Sequence, residues 1–424
     1  MPCLLYTSDA AELDDLACAA LDLLGRHRMF VALELANAEP YLLQSLHRAE
    51  AAGLPLTRLR VLHQLALHDV LRGLGCARIV QGRELAEELG ALALTAEFDH
   101  TLATYYAIAH ELDLASDCAE RALTAARRYR LAELTTLVIG LRATIDAMRG
   151  RRAEAERQVA AALSAADELG PLMRAALGGT ALVLAALADD DLHMAVARVS
   201  ETRMLLPADR IVFQPPFFVS FYGMAAVVQA AAGAHELIEG RDWVQFDDVY
   251  MRCCFNVALG IVAGRARDTE RAAALFTAGD EGLANVPWFR ALCRRYAAEA
   301  ALVDGWGEPA VWLREAEVFF ERCGNEPLAR ACRSLLRLAG TSPQRRRFAP
   351  AEAGPPGVEL TRREADVLVL LADGLTNREI ASRLYLSVRT VEKHVERVLS
   401  KTGQVNRTAL ATYAIEHQLV TRHT

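Results

Sequence analysis

Apolar residues recur every three or four positions along most of the chain, rather than at every second position. This spacing places them on one face of an α-helix and argues against strands. In the segment RAEAERQVAAALSAADEL, glutamate and arginine occupy one face and the opposite face is apolar. The apolar face is formed by Ala155, Val159, Ala162, Leu163 and Ala166. The pattern predicts an all-α protein.

Glycines interrupt these stripes after roughly 12 to 18 residues, a common helix length. A glycine often ends a helix because it accepts the left-handed backbone conformation. The glycines at these positions are Gly25, Gly53, Gly90, Gly150, Gly170, Gly264 and Gly324. Helices of this length with short links between them predict stacked helical hairpins.

A weak internal repeat supports the hairpin interpretation. The tripeptide Ala-Glu-Arg at 119–121 recurs at 155–157, which is 36 residues later. This spacing is close to the tetratricopeptide period of about 34 residues, although the other positions of that motif are not matched. We therefore predict a degenerate tetratricopeptide-like solenoid. An irregular helical domain without repeats is the alternative.

The segment LPADRIVFQPPFFVSFYG, residues 206–223, breaks the helical pattern. Pro215 and Pro216 argue against helix there, and the segment holds a large share of the chain's few aromatic residues. Its aromatic residues are Phe213, Phe217, Phe218, Phe221 and Tyr222. One interpretation is an aromatic pocket for an effector or peptide. We favour the other, a piece of hydrophobic core under a long loop between repeats.

Composition sets the class of protein. The chain has 424 residues, 53% apolar and 24% charged, enough to bury large cores in two or three domains. No apolar run approaches the ~20 residues of a membrane-spanning helix, and no secretory signal is visible. The nine cysteines show no C-x-x-C pair and no metal-ligand spacing with histidine. These features favour a cytoplasmic protein with reduced thiols and no membrane contact.

Enzyme motifs are missing from the sequence. A phosphate-binding P-loop requires G-x-x-x-x-G-K-[ST], and no lysine precedes Lys393. The sequence contains neither a G-x-S-x-G elbow nor H-E-x-x-H, and its eleven histidines are scattered. We therefore predict no enzyme activity, no cofactor and no metal site.

Charge is distributed unevenly along the chain. From residue 341 onward there are 13 Lys and Arg against 9 Asp and Glu, whereas the first 340 residues carry 34 against 45. The two lysines of the chain, Lys393 and Lys401, both lie in this basic C-terminal part. A basic tail on an acidic body favours nucleic-acid contact by the tail.

The two ends of the helical body differ from it in composition. The run CLLYTSDAA, residues 3–11, resembles a translated transposase adapter from sequencing-library preparation, so the natural protein is expected to continue upstream. An ordinary N-terminal segment is the alternative. Beyond the body, a Pro- and Gly-rich stretch with three arginines reads as a tether. The predicted segments are 1–11 (adapter-derived), 12–340 (helical-repeat sensor or interaction domain), 341–357 (linker) and 358–424 (DNA-binding domain).

The C-terminal segment carries dense helix-start and helix-stop signals. Thr361-x-x-Glu364 and Thr376-x-x-Glu379 are capping boxes, which open helices. Ser387 and Asn406 are the predicted caps of two further helices, and Gly374 and Gly403 are predicted stops. The second and third helices, joined by the three-residue link at 385–387, form a helix-turn-helix, whose second helix enters the major groove.

A helical wheel separates two faces on the third predicted helix, Val388 to about Lys401. Its apolar sector contains Val391, Val395, Val398 and Leu399. Its opposite sector contains Arg389, Lys393, Glu396, Arg397 and Ser400, with Thr390 and Glu392 on the borders. Such a charged face suits the donors, acceptors and phosphates of a major groove. A solvated charged face is the simpler alternative.

The segment Leu360–Val420 resembles the C-terminal DNA-binding domain of the LuxR-type transcription regulators. It shares L-T-x-R-E at its start, then G-L-T-N-R-E-I-A and T-V-E-K-H-V. The resemblance implies a four-helix domain whose third helix reads the groove and whose fourth helps to pair two domains.

The same resemblance implies roles for individual residues. It assigns base-edge contacts to Glu392, Lys393 and Glu396, and phosphate contacts to Thr390 and Arg397. Many relatives have a positive residue at the positions of Glu392 and Glu396, so this chain departs from them at two base-reading positions. From their positions on the predicted helices, we add Arg389 to the base-reading set and Thr376 and Lys401 to the phosphate set.

The segment WLREAEVFFERCGNEPLARACRSLLRLAG resembles the end of the helical-repeat region in the large ATP-binding members of this family. Those members carry an ATPase module upstream, so we expect the C-terminal part of such a regulator. A naturally short regulator with a helical sensor is the alternative.

These observations predict a sequence-specific transcription regulator, acting as an activator. It is expected to bind double-stranded DNA as a homodimer, on half-sites about one helical turn apart. RNA polymerase is an expected partner, and the helical body is expected to sense a small-molecule or protein effector. The alternative is an interaction scaffold whose helical body binds a protein and whose DNA contact is secondary.

Overall fold

The computed structural model describes residues 13–32, 34–165, 170–205, 217–234, 249–341, 362–372, 374–384, 388–404 and 406–416. Within these ranges all regular structure is helical, and no strand occurs. The predicted all-α class is therefore confirmed. The predicted adapter-derived start and the predicted linker beyond Thr341 lie outside the described residues.

The chain divides into two compact units, Met1–Gly340 and Thr341–Thr424. The helices of the first unit are α1 (Asp14–His27, extended by a π-helical turn Arg28–Ala32), α2 (Leu35–Ala51), α3 (Pro55–Arg72), α4 (Ala77–Glu88), α5 (Leu92–Ile108), α6 (Leu112–Arg128), α7 (Ala132–Met148), α8 (Arg152–Ala165), α9 (Pro171–Ala188), α10 (Leu192–Leu205), α11 (Phe217–Ala232), α12 (Val249–Arg265), α13 (Thr269–Gly282), α14 (Pro287–Asp304), α15 (Pro309–Arg322) and α16 (Glu326–Thr341). The second unit contains α17 (Arg362–Ala372), α18 (Asn377–Leu384), α19 (Val388–Thr402) and α20 (Arg407–Glu416).

Helices α3 to α11 alternate between two layers. In the first layer, α3, α5, α7 and α9 each pack against the next odd-numbered helix, which is α11 for the last of them. In the second layer, α4, α6, α8 and α10 each pack against the two odd-numbered helices on either side in the sequence. The alanine-rich faces meet in one continuous hydrophobic core, because a small side chain lets antiparallel helices approach closely. This arrangement is compatible with a solenoid. The tetratricopeptide-like character of its repeats stays a prediction.

The turns of this region fall at intervals of 20 residues, with position 170 as the exception. Gly90, His110, Arg130, Gly150 and Asp190 all have φ between 57° and 72°, the left-handed region. In each case the next residue donates its N–H to a carbonyl five positions earlier, at 2.8–2.9 Å, which closes the preceding helix. A complete helical hairpin therefore spans 40 residues, not the 36 suggested by the Ala-Glu-Arg tripeptides. The second tripeptide lies four residues, about one helical turn, earlier in its repeat than the first. Both alanines, Ala119 and Ala155, are therefore on the same buried face of their helices.

Several predicted helix-ending glycines have other roles. Gly53, Gly90, Gly150 and Gly324 follow helices with positive φ, as expected. Gly170 instead precedes α9, with an extended backbone. Gly25 lies inside α1 and Gly264 inside α12, where a Cβ would come within 2.6 Å of Leu42 and 2.1 Å of Trp306, respectively. These two glycines admit a bulky neighbour, a requirement that the sequence pattern alone does not distinguish from a helix stop.

Glycines also permit the close crossing of α12 and α13. A Cβ at Gly260 of α12 would lie 3.0 Å from the carbonyl oxygen of Ala272 in α13. A Cβ at Gly279 of α13 would lie 2.6 Å from the carbonyl oxygen of Cys253 in α12. Each helix therefore presents a glycine to the backbone of the other. A side chain could relieve such a contact by changing rotamer, but a backbone carbonyl within a helix cannot. The two helix axes can therefore stay this close only if both positions are glycine.

Gly279→Ala is expected to lower the free energy of unfolding by roughly 1–3 kcal/mol, because the added methyl group overpacks this crossing. Gly340→Ala is the matched control, since Gly340 is also helical and has no atom within 4 Å of an added Cβ. Its expected effect is neutral or slightly stabilising. Urea unfolding followed by tryptophan fluorescence measures both, because all four tryptophans precede residue 341. Equal stability of the two variants would contradict the predicted close crossing.

The prediction for residues 206–223 is partly wrong. Residues 206–216, including Phe213 and both prolines, lie outside the described part. From Phe217 onward the chain is helical in α11, and Tyr222 is buried in the core of the first unit. Proline is excluded from a helix interior but not from the residues just before a helix. The two prolines therefore mark a boundary and do not exclude helix from the whole segment.

Two contacts join the turns of the hairpins to the later helices. The ring of His110, in the α5–α6 turn, lies 5.2 Å from the ring of Phe319 in α15. Asp190, in the α9–α10 turn, accepts a hydrogen bond of 2.9 Å from Arg295 in α14. Arg295 is buried and also donates to Glu299 at 2.7 Å. Burial raises the pKa of Asp190, and Arg295 offsets only part of that rise.

Histidines are buried between the first-layer helices. His63 of α3 and His100 of α5 both lie in the interior, where desolvation lowers the pKa of each to about 4. His63 Nε2 is 3.0 Å from Thr101 Oγ1, and its ring meets Phe98 edge-on at 5.0 Å. Desolvation also lowers the pKa of His110 to about 4, with a smaller contribution from Arg149. These imidazoles are therefore neutral near neutral pH.

None of the helices in the described ranges is both long and apolar enough to cross a membrane.

Candidate DNA-binding surface

The described part of the second unit contains four helices around a hydrophobic core of their own. Helix α17 packs against α18, α19 and α20, and α19 packs against α18 and α20. The core side chains are Val367, Leu368, Leu370, Leu371, Ile380, Ala381, Val391, Val395, Val398, Leu410 and Ala414. Each of the four helices starts one residue after its predicted cap, and α17 and α19 end within two residues of the predicted glycine stops.

The capping box predicted at the start of α18 is present. Glu379 Oε2 accepts hydrogen bonds from the backbone N–H of Thr376 at 2.6 Å and from its hydroxyl at 2.7 Å. The backbone N–H of Glu379 in turn donates to Thr376 Oγ1 at 3.3 Å. The backbone hydrogen bond from Thr376, followed by its side-chain bond, holds the pKa of Glu379 below its usual range. The exposed N-terminus of α18 therefore has a fixed shape.

The other helix signals are only partly within the described residues. Asn406 caps α20 by accepting the N–H of Ala409 at 2.9 Å, and Gly374 and Gly403 have positive φ after α17 and α19. Thr361 and Ser387 lie outside the described residues.

Helix α19 has the two faces that its sequence predicts. Val391, Val395 and Val398 are buried in the domain core, and Leu399 is half-buried beside them. The exposed side chains are Glu392, Lys393, Glu396, Arg397, Ser400 and Lys401. Arg389 and Thr390 lie on the first turn of this helix, but their side chains are outside the described set. The structure thus brings four of the predicted DNA-contacting side chains, Glu392, Lys393, Glu396 and Arg397, onto one solvent-facing surface.

Lys401 has a partner within the domain. Its Nζ lies 2.6 Å from Glu364 Oε2, across 37 residues of sequence. The Glu364 side chain is only 4% exposed, whereas the Lys401 side chain is 38% exposed. This pair ties the C-terminal end of α19 to the first turn of α17. The local sequence indicates only a capping-box role for Glu364, because a pairing across 37 residues leaves no local signal.

Arg407, the first residue of α20, was not singled out from the sequence. Its Nη1 donates to Asn377 Oδ1 at 2.8 Å, and its Nη2 donates to the carbonyl oxygen of Leu375. Both acceptors flank Thr376, so α20 holds the start of α18. The sequence gives one hint: Arg407 immediately follows the cap Asn406 and is therefore the first residue of α20. A side chain at the first position of a helix is free to make tertiary contacts.

A short helix, a link of three residues and a longer helix with an exposed charged face, supported by two further helices, define a helix-turn-helix domain. Residues 358–414 match the family model described as bacterial regulatory proteins, luxR family. The C-terminal segment of this chain is therefore a LuxR-family helix-turn-helix domain.

Similar proteins match over the C-terminal region. The chain is 51% identical over 63 residues to the probable transcriptional regulator ycf29 of Pyropia yezoensis, covering 15% of this chain and 28% of that protein. It is 48% identical over 65 residues to response regulator Rre1 of Synechocystis sp., covering 15% and 28%. It is 42% identical over 65 residues to the transcriptional regulatory protein LiaR of Bacillus subtilis, covering 15% and 31%. The chain thus spans about a third or less of the length of these three relatives.

Proposed function

We propose that this chain is a sequence-specific DNA-binding transcription regulator that reads the major groove with α19. The observation that carries the proposal is the exposed row Glu392, Lys393, Glu396 and Arg397, on the second helix of a LuxR-family helix-turn-helix. A helix about 10–12 Å across fits the major groove, and side chains on its exposed face then reach the base edges.

The proposed roles divide between base reading and phosphate contact. Lys393 and Arg389 donate to guanine O6 and N7, and Glu392 and Glu396 accept from the N4 amino group of cytosine. Two carboxylates in the groove oppose the phosphates, so they weaken binding to non-cognate DNA and raise selectivity.

Four residues are proposed to contact phosphates. They are Thr376, Thr390, Arg397 and Lys401. The hydroxyl of Thr376 donates to Glu379 in the described structure, so its phosphate contact requires that hydroxyl to exchange the carboxylate for a phosphate oxygen. The ammonium group of Lys401 is already paired with Glu364 at 2.6 Å. Within the described part of the chain Arg397 makes no ion pair, so it is expected to contribute more than Lys401 to the salt dependence of binding.

The remaining proposals concern assembly and control. Two copies bind half-sites about one helical turn apart, which the geometry of a helix-turn-helix dimer requires. The helical first unit senses a small-molecule or protein effector, and the regulator activates transcription through RNA polymerase in the cytoplasm. These proposals rest on the resemblance to LuxR-type regulators and on the large helical unit that precedes the DNA-binding domain in the sequence.

The test is a selection of duplexes from a randomised library by the full-length chain, followed by fluorescence anisotropy on the enriched duplex. Lys393→Ala is expected to lose about 1–3 kcal/mol of discrimination against a mismatched base pair, with the change confined to one position of the site. Arg397→Ala is expected to weaken binding to all duplexes and to reduce the slope of log K against log salt by about 1. Unchanged specific affinity of Lys393→Ala would reject the proposed reading helix.

A further inference from the structure

We propose that Arg407 is a positioning residue for DNA reading: from α20 it fixes the N-terminus of α18 against the DNA backbone without touching DNA itself. This inference rests on the proposed function, and it deepens that function by naming a residue outside the reading helix that sets affinity.

The geometry around Arg407 is specific. One guanidinium nitrogen donates to Asn377 Oδ1 at 2.8 Å and another donates to the carbonyl oxygen of Leu375. The two acceptors are the residues immediately before and after Thr376, the residue proposed to meet a phosphate from α18. A planar guanidinium can make two such bonds at once, whereas a lysine ammonium carries no fixed fork. The residues on both sides of Thr376 are thereby tied to α20, Leu375 through its backbone carbonyl and Asn377 through its side-chain amide.

The capping box completes the restraint from the opposite direction. The N–H and hydroxyl of Thr376 are bound by the carboxylate of Glu379, within α18 itself. That box fixes the first turn of α18 relative to its own axis. It does not fix where the turn lies relative to the rest of the domain. Core packing of α18 on α17 and α19 places the helix body. Arg407 adds a restraint at its first turn, because α20 packs on α17 and α19 while its first side chain reaches back to α18.

The electrostatics argue against a role in helix stability alone. A cation near a helix N-terminus opposes the helix dipole, so Arg407 is unfavourably placed for stabilising α18 by charge. Its charge does attract the Glu379 carboxylate and contributes to the lowered pKa of that group, after the hydrogen bonds from Thr376. Arg407 is also half-buried, so its two hydrogen bonds are made in part away from solvent. Arg407 is therefore placed to fix the position of the α18 N-terminus.

The test compares full-length variants on the duplex enriched by the unchanged chain. Arg407→Ala is expected to lower specific affinity by about tenfold, which corresponds to the loss of one well-formed charged hydrogen-bonding unit. The slope of log K against log salt is expected to stay unchanged, in contrast to Arg397→Ala, whose slope falls by about 1. Arg407→Lys is expected to recover little, because it cannot bridge both acceptors.

Two further measurements separate positioning from folding. Hydrogen exchange is expected to show faster exchange of the amide of Glu379 in Arg407→Ala, with the buried amides of α17 and α19 unchanged. A double-mutant cycle with Asn377→Ala is expected to be non-additive in affinity, because both changes remove the same hydrogen bond.

Each outcome decides between alternatives. A salt slope reduced by about 1 would make Arg407 a direct phosphate contact and overturn the proposal. Unchanged affinity with faster exchange throughout the domain would leave it a purely structural role. Failure of the unchanged chain to enrich any duplex would reject the proposed function itself, and the proposal with it. The hydrogen-exchange result would then still show whether Arg407 holds the start of α18.

Discussion

Acidification from pH 7 to pH 5 is expected to lower the free energy of unfolding of the first unit by about 4 kcal/mol through His63 and His100 alone. Both imidazoles have a pKa of about 4 in the folded chain, because burial disfavours their charged form. In the unfolded chain each returns to about 6.5. Between these values the unfolded chain binds more protons, so stability is fully present above pH 6.5 and declines as the pH falls toward 4.

The measurement is urea unfolding followed by tryptophan fluorescence at pH 7, 6 and 5. His63→Gln removes one titrating group while its amide can still bond to Thr101, so its loss of stability on acidification is expected to be about 2 kcal/mol smaller. His47→Gln is the matched control because His47 is exposed. The account is wrong if His63→Gln and His47→Gln lose stability equally.

Asp190→Asn is expected to destabilise the first unit by roughly 2–4 kcal/mol, because it leaves the buried Arg295 with Glu299 as its one carboxylate partner among the described residues. Burying a charge costs free energy because the charge loses its hydration. When one partner of a buried ion pair is removed, the attraction that offset this cost is lost. Asparagine tolerates the left-handed backbone at this position, where φ is 57°, so the substitution tests charge and not strain.

The neighbouring residue provides the control. Asp189 meets Arg152 at 3.3 Å in a half-exposed pair, and Asp189→Asn is expected to change stability by about 0.5 kcal/mol or less. The same urea titration measures both variants. If the two substitutions are equally mild, Asp190 does not compensate the charge of Arg295.

The sequence predicts the DNA-binding domain better than the helical body. Thr376, Glu379, Asn406, Gly374 and Gly403 are local signals, and each acts within one helical turn, so the helix bounds follow from a short window of sequence. The exposed face of α19 also follows from one helix wheel. Tertiary contacts do not: Lys401 meets Glu364 across 37 residues and Arg407 meets Asn377 across 30. The residues around Lys401 and Arg407 in the sequence do not indicate which distant side chain each one contacts.

In the body, the same limit appears in the turns. Glycine at 90 and 150 marks two of them, but His110, Arg130 and Asp190 take the same left-handed conformation without being glycine. A search for glycine therefore finds only some members of the 20-residue pattern. It also includes Gly25 and Gly264, whose role is to admit Leu42 and Trp306. Backbone conformation and close packing favour the same residue type, so sequence alone cannot separate them.

The contacts of His110 with Phe319 and of Asp190 with Arg295 have a consequence for folding. An array in which each hairpin touches only its neighbours can melt from one end, with cooperativity limited to adjacent units. Here residues 209 and 105 positions apart in the chain are in contact, so the early hairpins are closed against α14 and α15. Unfolding of the early hairpins would then remove packing contacts from α14 and α15, and unfolding of these helices would remove contacts from the hairpins. We expect such long-range closure to slow folding. We also expect it to couple the melting of the early hairpins to that of α14 and α15.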